Sequence, residues 1–142
     1  MSEGLELAEK YRLPDEIAEF IYTHHGTSEM TFFKVKAQQE GYEGEEDFRY
    51  KGKVPTTKET SIVMLADSCE AAVRSIDEPN AENIAKMIDV IFKKKFAEKQ
   101  LEESELSFSD LQVVKSCFLD VLMGVYHNRI KYPEPKEAKE DD

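Results

Sequence analysis

Leu111, Val114, Phe118, Val121, Leu122 and Val125 return every three or four residues, the spacing that places side chains on one face of an α-helix. Just ahead of them Ser107 and Asp110 stand as a capping box, with Leu106 and Leu111 placed as the hydrophobic staple around it. A run that opens this sharply commits the chain to an amphipathic helix, ending near Arg129, whose apolar face needs partners.

The partners have the same period. Ile62, Leu65, Cys69, Ala72, Val73 and Ile76 make the stripe of a helix that starts at Thr56 or Thr57, where Thr56 and Glu59 have capping-box spacing. Ile84, Ile88, Ile91 and Phe92 face inward on a helix starting at Pro79, and Lys93, Lys94 and Lys95 fall near its C-terminal end, where cations complement the helix dipole. Upstream, residues 3–11 read as a short helix ended by Leu13-Pro14. A second carries Ile17, Phe20, Ile21 and His24 on its core face, and Gly26 ends it or turns the chain. A third runs from Met30 to about Gln39, with Met30, Phe33 and Ala37 on one side, and closes at Gly41. The fold class is therefore all-α, a bundle of about six helices without internal repeats.

Between the third and fourth helices, GYEGEEDFRYKGKVPTT holds three of the six glycines, an acidic block and then a basic-aromatic block, and reads as a long loop. The final segment is Pro-interrupted and charged. Residues 1–132 are thus expected to form one domain, and 133–142 a disordered charged tail. With 40% hydrophobic residues, 142 residues suffice for one modest core.

A formal charge of -11 repels DNA, RNA and anionic lipid surfaces. A small phosphorylated ligand would need bound cations or a local basic cluster to overcome that field. Cys69 and Cys117 both fall on apolar stripes as small hydrophobes, which suits a reducing, cytoplasmic setting. No apolar run approaches the roughly 20 residues of a spanning helix, and MSEGLELAEK lacks the basic and apolar regions of a signal peptide.

His24 and His25, two of only three histidines, stand side by side at the end of an amphipathic helix. Neutral imidazole is a common transition-metal ligand, and a helix terminus lets adjacent side chains diverge. Taken alone, the pair favours a structural or incidental role over a metal site. Asp67 shares a helix face with Glu70 and Arg74, away from the apolar stripe. It is either an exposed neighbour of a solvated Glu70–Arg74 pair or a metal-binding carboxylate. Lys34, Lys36, Arg49, Lys51, Lys53 and Lys58 lie between the histidines and Asp67, with Phe48 and Tyr50 available to stack on a base. Loop solubility accounts for the same charges equally well.

The strings IYTHHGTS, DFRYKGKVPTTKETSIVMLADSCEAAVRS and LMGVYHNRIKYPEP together resemble the HD domain of the membrane-anchored cyclic di-AMP phosphodiesterase family, in order and over nearly the whole chain. The resemblance implies an HD-domain-like helical bundle lacking its N-terminal helices. It implies His24, His25 and Asp67 as part of a dinuclear site for divalent transition metals, with manganese or iron expected. It also suggests Gly26, Thr27, Arg49 and Tyr50 as residues beside the substrate. The intact domain would hydrolyse cyclic di-AMP to pApA at the cytosolic face of the bacterial inner membrane.

The family's His-Asp dyad, and two further metal-binding histidines, have no counterpart here. The remaining histidine, His127, resembles a position outside the metal set, and packing or a polar contact is expected for it. This chain alone is therefore expected to be inactive, with an incomplete metal site. The alternative is a non-catalytic helical module that self-associates, swaps domains or binds a partner protein through core surface left uncovered.

Overall fold

A computed structural model describes residues 2–41 and 48–127. Among these the order is α1 (Ser2–Lys10), α2 (Asp15–Thr23), α3 (Thr31–Gln39), α4 (Lys58–Arg74), α5 (Ala81–Ala97) and α6 (Phe108–His127). The fold is all-α, with one isolated antiparallel bridge between Glu29 and Arg49. The acidic stretch 42–47, the expected helix end near Arg129 and the tail 133–142 lie outside the described residues.

α4, α5 and α6 pack on one another around a common core. Leu65, Cys69 and Val73 from α4 meet Ile84, Ile88 and Phe92 from α5 and Leu111, Val114 and Leu122 from α6. Phe92 receives Phe118 edge-on, with ring centroids 6.1 Å apart. Each such side chain contributes roughly 1.5–3 kcal/mol when taken fully out of water. α2 packs on α4 and α1 on α2, whereas α3 packs on none of the other helices among the described residues.

The α6 capping box forms as expected: the Ser107 N–H donates to Asp110 Oδ2 and the Asp110 N–H to Ser107 Oγ, each at 3.0 Å. Of the two starts expected for α4, Thr57 is the cap, its Oγ1 accepting from the Thr60 N–H at 3.1 Å in place of a Thr56–Glu59 box. α5 starts after Asn80 rather than at Pro79, because the Asn80 carboxamide accepts from the Asn83 N–H and the proline side chain has nothing with which to cap.

Several residues assigned to the core face are exposed. Val121 is 64% accessible and Val125 and Cys117 are also exposed, because the C-terminal half of α6 borders an apolar cavity of about 400 Å³ against α4 instead of filling it. Ile17 is 52% accessible on α2, whose buried residue is Thr23. Phe33 is exposed on α3, which lacks a helical neighbour among the described residues. His127 is exposed at the end of α6 beside Pro79 and Asn80.

Candidate functional site

The C-terminus of α2 delivers both histidines. His24 caps the helix in α conformation, and its Nδ1 lies 2.8 Å from the Phe20 carbonyl oxygen. A carbonyl can only accept, so Nδ1 carries a proton, and in the neutral ring the lone pair is on Nε2. That tautomer is the one a metal-ligating histidine needs, with its other nitrogen held by the backbone. The His24 and His25 rings are 4.1 Å apart and tilted by 42°.

His25 meets two side chains of distant origin. On one face Tyr50 stacks at 4.4 Å, nearly parallel. Asp67, from the middle of α4, places Oδ2 3.6 Å from His25 Nδ1, too far for a hydrogen bond but within ion-pair range. Both side chains stay open to solvent, at 42% and 46% accessibility. Burial and then the neighbouring His24 hold the His25 imidazole below its ordinary pKa, with Asp67 pulling the other way. Glu70 and Arg74 form the expected surface pair at 3.2 Å, so Asp67 alone of that trio faces the histidines.

The segment after His25 is fixed from two sides. Gly26 has φ +53°, a left-handed turn that disfavours any side chain. The Gly52 N–H donates to the Gly26 carbonyl at 3.0 Å and the Lys53 N–H to that of Tyr22 at 3.0 Å. The Tyr50 N–H donates to the Ser28 carbonyl at 2.9 Å and the Met30 N–H to that of Phe48 at 2.6 Å. This pairing sets Arg49 in register with Glu29 and brings Tyr50 onto His25. A Cβ at Gly52 would strike the carbonyl oxygens of Tyr22 and Gly26, so the close approach requires glycine there.

The other side is the end of α5. Gln100 is fully buried; its Oε1 accepts from the Thr27 N–H and its Nε2 donates to Thr27 Oγ1, each at 2.9 Å. Buried Lys95 donates to Ser28 Oγ at 2.7 Å, Glu98 Oε2 accepts from the Glu29 N–H at 2.7 Å, and Lys94 donates to Thr31 Oγ1 at 2.9 Å. Burial holds the Lys95 ammonium below its ordinary pKa, while Glu98 opposes that shift. The lysine run therefore ties down the loop as well as complementing a helix dipole. Gln100 and Glu98 carry no sequence signal that singles them out, because their partners lie about seventy positions away.

His24, His25, Asp67, Gly26, Thr27 and Tyr50 are thus gathered around one turn, with Arg49 one residue from Tyr50. Among the cations read as a basic cluster, Lys34 pairs with Glu29, Lys58 with Asp110, and Lys53 lies over the Tyr22 ring. Two imidazoles and a carboxylate are suitable donors for a divalent transition metal. Among the described residues, however, no three His, Cys, Asp or Glu side chains come together closely enough to hold an ion by themselves. The donor chemistry fits part of a metal site.

No family model matches the chain. It is similar to solved structures of the HD domain of the phosphodiesterase PgpH from Listeria monocytogenes. One superposes with TM-score 0.80 at 34% identity over 89% of this chain. Another, in complex with cyclic di-AMP, gives TM-score 0.82 at 33% identity over 88%. This chain carries the all-α fold of those HD domains. Cyclic-di-AMP phosphodiesterase PgpH of Bacillus subtilis is 40% identical over 134 residues, and an uncharacterized protein of Synechocystis sp. is 40% identical over 140. The chain spans 19% and 17% of those two proteins and 59% of each HD-domain structure. None of its described helices is long and apolar enough to cross a membrane.

Proposed function

We propose that this chain supplies the later portion of the active site of a metal-dependent cyclic di-AMP phosphodiesterase. The observation that carries the reading is the convergence of His24, with its Nε2 lone pair available, and of His25 beside Asp67, from two helices packed on each other. These three would be the metal ligands contributed here. A divalent metal bound there would engage phosphate oxygens and lower the pKa of a coordinated water.

The chain's own residues position and shield. Tyr50 holds the His25 ring by stacking and offers an aromatic surface for a base. Gly26 and Thr27 shape the turn beside the ligands, and Arg49 brings a cation close to where an anionic substrate would lie. The remaining ligands belong to the portion of the HD domain outside this sequence, so hydrolysis of cyclic di-AMP to pApA is expected of the complete domain and not of this chain alone. Manganese or iron is the expected metal, and the cytosolic face of the membrane the expected location.

The test measures manganese binding and cyclic di-AMP turnover for this chain and for a form extended N-terminally through the missing ligands. Weak binding without turnover by the chain, and turnover by the extended form that is lost in His25→Ala or Asp67→Ala, are expected. An extended form that is metal-loaded and inactive would overturn the reading.

A second reading has its own observation. The cavity between α4 and α6, lined by Cys117, Phe118, Val121 and Val125, leaves apolar surface open along half of α6. A helical module that self-associates there would gain mass with concentration in light scattering. A strictly monomeric chain would eliminate it.

A further inference from the structure

We infer that Gln100 is the positioning residue that sets the His24–His25 turn against α4; the inference rests on the metal-ligand reading above. α2 packs on α4 but makes no helix packing contact with α5, so the turn after His25 is tied to the main core chiefly through side chains at the end of α5. Gln100 comes first among these ties and is the one without a charge. Its amide uses both ends, accepting from the Thr27 N–H and donating to Thr27 Oγ1 and to the Glu98 carbonyl, each at 2.9 Å.

The carboxamide is directed inward by the backbone. Lys99 takes φ +59°, and the Lys99 N–H to Phe96 carbonyl and Gln100 N–H to Lys95 carbonyl bonds, both 3.0 Å, close a Schellman turn on α5. A lysine in left-handed conformation costs about 1–2 kcal/mol. The result of that turn is to bury Gln100 completely beneath Gly26. Gly26 leaves the room: a Cβ there would lie 2.5 Å from Gln100 Oε1. A carboxamide meets the Thr27 N–H, the Thr27 hydroxyl and the Glu98 carbonyl together; glutamate could accept from the N–H and the hydroxyl but has no donor for the Glu98 carbonyl, and methionine has no donor and only a weak acceptor.

The experiment compares the full chain with Gln100→Met, which keeps length and apolar bulk, and Thr27→Val, which removes only the hydroxyl. Ile88→Val, in the α5 core, serves as a control for general loss of stability. NMR of the His24 and His25 ring signals in the metal-free chain reads ring position, and calorimetric titration with Zn²⁺ reads ligation. Gln100→Met is expected to shift the His25 ring signals and weaken Zn²⁺ binding about tenfold or more. Thr27→Val should act in the same direction but less, and Ile88→Val should change neither at comparable loss of Tm. Ring signals unchanged in Gln100→Met would overturn the inference; should that variant not fold, unchanged signals in Thr27→Val would do so. If the parent chain binds no Zn²⁺ while the ring signals still move, the positioning role stands and the metal-ligand reading falls.

Discussion

Replacing Gly26 with alanine puts two separable costs on one methyl group. At φ +53° the backbone is left-handed, which costs a residue with a Cβ about 1–2 kcal/mol. The new atom would also lie 2.5 Å from Gln100 Oε1 and 2.6 Å from Met64 Cε. Both neighbours are completely buried, so neither can swing into solvent, and overpacking of this kind costs about 1–3 kcal/mol. Together the loss should be about 2–5 kcal/mol. Urea unfolding reads it as a lower midpoint at unchanged slope, with a drop in Tm of roughly 10 °C. Gly41 provides the internal control: it has φ +77°, but an added methyl there would have nothing within 4 Å among the described residues, so Gly41→Ala should cost only the backbone part. If the two substitutions destabilise equally, the turn beside His25 is not packed against Gln100 and the steric reasoning is wrong.

Further outcomes follow from the same structure. Burial pushes the Cys69 thiol up to about 12, whereas Cys117 is exposed, so a thiol reagent should titrate one cysteine in the native chain and two after denaturation. Asp67→Asn should lower the His25 pKa further, since Asp67 opposes the downward pull of burial and His24; a rise in the NMR titration would contradict the geometry. Because the folded value lies below the unfolded one, the unfolded chain binds more protons as pH falls through the imidazole range, and stability should decline from about pH 7 to about pH 5. Ser107→Ala should cost about 1 kcal/mol in urea unfolding by removing the α6 cap. Hydrogen bonds from the Ser107 backbone and hydroxyl hold Asp110 below the usual carboxylate range, so its contribution is present above the unfolded pKa and is lost as pH falls through the folded one; Asp110→Asn should remove that part of the acid limb.

The long periodic runs were legible because a helix stripe is a local pattern. Leu65, Cys69 and Val73, then Ile84, Ile88 and Phe92, then Leu111 and Val114 are buried where their spacing put them. The Ser107–Asp110 box was equally legible, being complete within four residues. Periodicity gave no measure of how much of each stripe would find a partner. Ile17, Val121 and Val125 have the right spacing, yet no described helix covers them fully, so they remain exposed.

The same division runs through the site. The sequence alone determined that two imidazoles stand at a helix end, that a glycine follows them, and that Asp67 lies on a helix face away from the apolar stripe. Only the tertiary structure decided that Asp67 meets His25, that Tyr50 stacks on the same ring, and that Gln100, Lys95 and Glu98 hold the turn. The reason is physical. Caps and stripes are made by residues within one or two helical turns, whereas a ligand set needs side chains from separate elements at fixed distances, and those distances exist only once α2, α4 and the end of α5 have packed.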